Sequence, residues 1–183
     1  MKLIAEPYTL ELHHDIKDSE QDLRGKLNLE WCDGVLFNVT VKENNDIAEY
    51  DVIQWNEQDK SILFIEYKNS IPAYKNLKAH EAQQNKDYAL NIARAFGFLK
   101  YDFIIVVKNL EQSSEKKKGK AYVISLDEIT NYAPEFESTL DELDYAEKLL
   151  EKYNRSENPV EFSREIVLKE LKILRDKIEQ VNK

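Results

Sequence analysis

Ile62-Leu63-Phe64-Ile65-Glu66-Tyr67-Lys68 is apolar on both faces for four residues and then carries a carboxylate and an ammonium two positions apart. A strand that is apolar on both sides belongs in the middle of a sheet covered on both faces. Upstream, residues 47–55 read as a second strand, and Glu49-Tyr50-Asp51-Val52-Ile53 within it places two carboxylates at alternate positions. Side chains alternate across a strand, so Glu49 and Asp51 share one face, as do Glu66 and Lys68. If the two strands pair as a hairpin, two or three carboxylates and one ammonium converge near the strand ends. Charges there are costly to bury unless they are paired or put to use.

Working outward, residues 35–41 read as a strand and Asn44-Asn45-Asp46 as the turn that follows it. Residues 2–12 alternate in part and read as a further strand. Ser19-Glu20-Gln21-Asp22 has the form of a helix start, and Leu23, Leu27, Trp31 and Val35 follow at helical spacing. Residues 26–31 also alternate like a strand, with Asp33-Gly34 as a hairpin turn. The helix is the reading adopted. Downstream come a loop with Pro72, a helix over 76–97 stopped by Gly97, a strand over 101–107, a lysine-rich loop and a strand over 121–126. Beyond Pro134, residues 138–153 and 161–181 read as two charged amphipathic helices. The expected fold class is α/β. A core of helix, three strands, helix and strand occupies residues 1–134, and a two-helix C-terminal extension occupies 135–183.

With 183 residues, 42% of them hydrophobic and 33% charged, the chain is globular and long enough for one domain with a small appendage. Its four glycines, Gly25, Gly34, Gly97 and Gly119, are scattered, which excludes a glycine-rich phosphate loop. Cys32 is the single cysteine. An internal disulfide and a cysteine zinc cluster are therefore excluded, and a reducing, cytoplasmic setting is expected. No apolar run approaches the roughly 18 residues that span a bilayer, and no signal peptide is read at the N-terminus. The net charge of −9 argues against a general nucleic-acid binder, but the distribution is uneven. Residues 1–68 hold 7 basic and 15 acidic groups, whereas 69–120 hold 10 basic and 5 acidic ones. Charge alone is met by simple solvation of both faces; an acidic pocket beside a basic surface would also suit a metal-dependent enzyme acting on phosphates.

A divalent cation resolves the carboxylate repulsion at the two strand ends. Mg²⁺, or Mn²⁺ in its place, takes hard oxygen ligands and keeps several waters. Asp51, Glu66 and the backbone carbonyl of Tyr67 provide such an incomplete shell. Lys68 then orients or activates the attacking water, or stabilises charge on the phosphorane. The alternative is a purely structural ion-pair cluster between neighbouring strands.

Asp51, followed fifteen positions later by Glu66-Tyr67-Lys68, resembles the signature of the PD-(D/E)XK nuclease superfamily, the restriction-endonuclease-like fold. The apolar lead-in at 62–65 and Glu-x-Asp-Val at 49–52 are similar to many members, although Tyr50 stands where the family's proline often does. Gln84-Asn85-Lys86-Asp87-Tyr88 has the Gln-x-x-x-Tyr spacing of the helicase-associated exonuclease branch. The resemblance covers residues 19 to 126. It implies phosphodiester hydrolysis, in DNA rather than RNA, with Asp51 and Glu66 on Mg²⁺ or Mn²⁺. Lys68 is implied as catalytic and Gln84 and Tyr88 as supporting residues. It further implies a carboxylate from the first helix, for which Glu30 is the candidate and Glu20 the alternative.

Lys75, Lys78, Lys86, Lys116, Lys117 and Lys118 are the candidate nucleic-acid contacts in the basic middle segment. His13, His14 and His80 lack partners at ligand spacing and read as surface residues. Val167, Leu171, Leu174, Ile178 and Val181 follow the rhythm of a coiled-coil seam, which serves either packing on the chain's own core or a homodimer.

Overall fold

The computed structural model describes residues 2–13, 20–111 and 116–140 of the chain. In chain order the elements are β1 Lys2–Ala5, β2 Tyr8–Leu12, α1 Gln21–Arg24, β3 Gly34–Glu43, β4 Asn45–Asn56 and β5 Ser61–Lys68. Then follow α2 Ile71–Asn76, α3 Ala79–Ala95, β6 Lys100–Val107, β7 Lys117–Lys118, β8 Ala121–Ser125 and β9 Glu137–Ser138. A 3-10 turn spans Ile129–Asn131.

The strands form one mixed sheet in the order β1-β2-β3-β4-β5-β6-β8-β7, with β9 pairing β6 off this path. From β1 to β5 neighbours are antiparallel, and β5, β6 and β8 are parallel. Parallel neighbours need a long crossover, and α2 with α3 supplies the one from β5 to β6. β5 is central, as its two-sided apolar run requires. Ile62 and Phe64 join the core beneath α3, whereas Leu63, Ile65 and Tyr67 join the core on the opposite face. The first core takes Ala82, Ala89, Ile92 and Ala93 from α3. The second is closed by Leu23 of α1, Leu126 and Ile129.

The expected first helix is cut to one turn. α1 ends before Gly25, and residues 25–33 run without regular structure into β3. The apolar spacing that suggested a helix still serves burial: Leu27, Trp31, Val35 and Phe37 pack on the second core beside buried Leu23. Polar groups of β4 satisfy the irregular backbone instead of helical bonds. Gln54 Nε2 donates to Asn28 O at 2.9 Å, and Asn56 Nδ2 donates to Trp31 O at 2.8 Å. These bonds give the partly covered carbonyls of Asn28 and Trp31 partners that water need not supply.

The helix expected over 76–97 is α3, over Ala79–Ala95, and the loop expected around Pro72 is a separate short helix, α2. Ser70 caps α2 through Ala73 N at 3.3 Å, and a proline in its first turn matches the preference for that position. Leu77 then leaves helical geometry, and Glu81 bonds back to Lys78 N at 2.9 Å to start α3. The segment expected to open the C-terminal extension also belongs to the core as far as Leu140. Glu137 and Ser138 pair with β6, and Thr139 Oγ1 donates to Phe98 O at 2.8 Å. Residue 138, expected in a helix, is thus a strand residue. The remainder of the two expected helices, the seam and the dimer drawn from it, and His14 and Ser19 lie outside the described residues.

Two glycines are required by close approach. A Cβ on Gly34 would fall within the Trp55 indole. At Gly119, φ is +60° and a Cβ would stand 2.7 Å from Ala79 O, so this residue lets the β7–β8 turn sit against the start of α3. Gly34→Ala should cost about 1–3 kcal/mol in urea unfolding, because the indole must move out of packed surroundings. A midpoint equal to the wild type would show that the ring swings away freely.

Candidate metal-dependent active site

The β4–β5 ladder runs from Asn56↔Ser61 to Val52↔Ile65 and stops there. Alternation lapses at the same place. Tyr50 and Ile53 join the core beneath α3 while Val52 joins the other, so Asp51 stands at an irregular step. Across from it, Asn38 of β3 holds φ at 51°. Where the two strands part, the Asp51 side chain takes the place of the ladder: Oδ2 accepts from Tyr67 N at 2.6 Å. Burial pushes the Asp51 carboxyl up to about 6. The Tyr67 N–H opposes that rise, the charges of Glu20 and Glu66 add to it, and Lys68 opposes it.

Glu66 is 8% exposed and held on both oxygens. Oε1 pairs with Lys68 Nζ at 2.7 Å, and Oε2 accepts from Asn85 Nδ2 at 2.9 Å. Asn85 is itself fixed, since its backbone carbonyl accepts from the Tyr50 hydroxyl at 2.8 Å. A cleft of about 290 Å³ brings Glu20, Glu49, Asp51, Glu66, Tyr67 and Lys68 together. The convergence expected from the two strands is present.

Other assignments shift. Glu30, the first choice for a helix carboxylate, is exposed in a turn and does not line the cleft; its N–H bonds to Asn28 Oδ1. Because α1 is a single turn, position 30 is not carried on a helix. Glu20, at the start of α1 and 5% exposed, lines the cleft instead. On α3, Gln84 is exposed and donates to the Tyr88 hydroxyl at 3.3 Å, and neither lines the cleft. The α3 residue that reaches Glu66 is Asn85, one position along, which the motif spacing passed over. Lys86 is a further correction. It is 4% exposed and bonded to Glu137 Oε1 at 2.6 Å and Lys120 O at 3.2 Å, an inward structural lysine unable to meet a phosphate backbone. Lys75, Lys78, Lys116 and Lys117 are exposed. Lys118 is half-buried over the Tyr74 ring, with Nζ donating to Tyr74 O at 2.7 Å.

The donor set is oxygen-only and anionic, which suits Mg²⁺ or Mn²⁺. Burial first, and then the charges of Glu20 and Glu66, raise the Asp51 carboxyl, and a cation beside it would oppose that rise. As placed, Asp51 is turned to the Tyr67 amide and Glu66 to Lys68 and Asn85. Among the described residues no group of three or more His, Cys, Asp or Glu side chains is gathered to hold a metal ion. Reorienting these carboxylates is therefore part of any metal binding here.

Comparison with protein-family models, with curated proteins and with solved structures gives no match to this chain. Fold and cleft define a mixed α/β protein with a nine-stranded, largely antiparallel sheet and an acidic cleft where β4 and β5 diverge. No helix among the described residues is long and apolar enough to cross a membrane.

Proposed function

We propose that this chain is a metal-dependent nuclease with a restriction-endonuclease-like core, hydrolysing phosphodiester bonds in DNA rather than RNA. The observation that carries the reading is the meeting of Asp51, Glu66 and Lys68, with Glu20 beside them, at the divergence of two central strands. Asp51, Glu66 and the Tyr67 carbonyl would hold the Mg²⁺ or Mn²⁺, and Glu20 is the carboxylate on hand to complete the set. When bound, the cation lowers the pKa of water and offsets charge on the phosphate. Lys68, kept in place by Glu66, sets a positive charge where the phosphate gains negative charge. Asn85 positions the Glu66 carboxylate in the metal-free site and would give up one of its oxygens to the cation. Gln84 and Tyr88, bonded to each other outside the cleft, would meet the substrate beyond it.

The test is incubation of the full chain with linear, circular, single-stranded and branched DNA, and with RNA, in Mg²⁺, in Mn²⁺ and in chelator. Cation-dependent cleavage of DNA is the expected result; no cleavage of any substrate in Mn²⁺ overturns it. One observation favours a second reading, an inactive nuclease-fold subunit that binds nucleic acid or supports an assembly. Lys68 and Asn85 already satisfy both oxygens of Glu66. Mn²⁺ calorimetry separates the two: an active site binds the ion and loses it in Asp51→Ala.

Substrate contact in this reading falls to the exposed lysines on α2, at the start of α3 and at the start of β7. Replacing Lys75, Lys78 and Lys116 together with glutamine should weaken DNA binding equally for all sequences and reduce the salt slope by about 2–3. An unchanged slope would place the DNA on another surface.

A further inference from the structure

We propose that His13 protonates the leaving oxygen of the cleaved phosphodiester, acting from the side of Asp51 opposite Lys68. The inference rests on the nuclease reading and adds a catalytic residue to it. Glu49 and Asp51 line two cavities. One is the cleft that holds Glu66 and Lys68. The other, of about 260 Å³, is lined also by His13, Asn38, Thr40 and Tyr50.

Displacement at phosphorus keeps the entering and leaving oxygens roughly in line. With Glu66 and Lys68 on the entering side, the leaving oxygen emerges past Asp51 into the second cavity. With Asp51 given to the cation in this reading, the Glu49 carboxylate remains in that cavity and disfavours an alkoxide there. A proton must be delivered there, and the polar side chains at hand differ in what they can give. The Tyr50 hydroxyl is committed to Asn85 O at 2.8 Å, and burial pushes it well above an ordinary phenol. Thr40 and Asn38 are far too weakly acidic. Asp51 is committed to the Tyr67 amide and, in this reading, to the cation, which leaves His13 as the lining residue whose type gives and takes up a proton. Its ring is anchored, with Nε2 2.7 Å from Thr40 Oγ1, and its backbone N–H donates to Asn38 O at 3.0 Å.

The step balances. The water oxygen bonds to phosphorus and releases its proton to solvent. The bond from phosphorus to the leaving oxygen breaks with its electron pair on that oxygen, which takes the imidazolium proton. The neutral imidazole is then reprotonated from solvent.

The test uses the full chain with Mn²⁺ and two versions of one DNA oligonucleotide. One has the normal scissile phosphodiester; the other has sulfur in place of the leaving oxygen. A thiolate leaves without a proton, so the sulfur substrate bypasses the acid. His13→Gln should lower kcat on the normal substrate by about 100-fold, with KM within about twofold, yet cleave the sulfur substrate within about threefold of wild type. Thr40→Val, which frees the ring, should show a smaller loss with the same recovery. Glu66→Gln should be slow on both substrates. An equal loss on both substrates in His13→Gln, or no loss on either, overturns the role of His13 while leaving the nuclease reading intact. A wild-type protein that cleaves neither substrate removes both.

Discussion

Glu66→Gln will lower the rate of DNA cleavage by about 1,000-fold or more, with secondary structure unchanged. The amide removes the anion that pairs with Lys68 at 2.7 Å and that would hold the cation. Asp51→Asn and Lys68→Ala should fall by similar factors. Stability separates this site from a merely structural ion-pair cluster. Burial holds the folded Asp51 carboxyl near 6, above its ordinary 3.8, so ionisation opposes folding once the pH exceeds that range. Asn at this position keeps an oxygen for the Tyr67 amide and cannot ionise. Asp51→Asn should therefore melt higher than wild type at pH 7.5 without metal, and equal to it near pH 4. Cation should raise the wild-type melting temperature and leave that of Asp51→Asn unmoved. Activity within about threefold of wild type in all three variants would sink the site. A lower melting temperature for Asp51→Asn at pH 7.5 would assign the aspartate to structure.

The second large effect lies away from the cleft. Asp102 of β6 is 1% exposed, and its Oδ2 accepts from the Tyr132 hydroxyl at 2.7 Å and from Glu135 N at 3.3 Å. Its Oδ1 is buried with no hydrogen-bond partner among the described residues. Burial raises this carboxyl from 3.8 to about 6, against the lowering effects of the Tyr132 bond and the Lys86 charge. The folded state thus binds a proton more tightly than the unfolded chain. This contribution favours folding below pH 4 and is lost as the pH climbs through 6, a change of roughly 3 kcal/mol. Asn at 102 keeps an acceptor for Tyr132 and Glu135 without ionising. Asp102→Asn should gain about 2 kcal/mol at pH 7.5, or roughly 6 °C in Tm, and almost nothing at pH 4. Chemical denaturation at the two pH values decides it. A loss at pH 7.5 would mean that the ionised carboxylate has a partner worth more than its burial costs.

The site was legible where its chemistry is local to two strands. Asp51, Glu66 and Lys68 could be placed near one another because strands joined by a short turn pair, although the ladder stops one residue short of Asp51 and Glu66. Residues brought in by packing were not legible. Asn85 meets Glu66 because the Tyr50 hydroxyl and the α3 core residues fix the roll of that helix, so one position decides between Asn85 and Gln84. Lys86 looked like one more cation in a basic segment. It is buried because Glu137, 51 residues later, returns along β6 to meet it. His13 lines a cavity with Asp51 only because β2 pairs with β3 and β3 with β4.

The sequence by itself determined the strands over 34–43, 45–56, 61–68 and 100–107 to within a few residues, and the central place of β5, because periodicity and two-sided apolarity are written locally. It also determined that β5 ends in a carboxylate and an ammonium and that β4 carries two carboxylates at alternate positions. Only the tertiary structure decided that α1 is a single turn. The spacing of Leu23, Leu27 and Trp31 demands burial on one face, and a helix and an irregular strip crossing a sheet both meet that demand. What chose between them was the supply of hydrogen bonds from Gln54 and Asn56, more than twenty residues away in β4. The same distant contacts left Glu30 in an exposed turn, while Glu20 stays in the cleft beside Asp51.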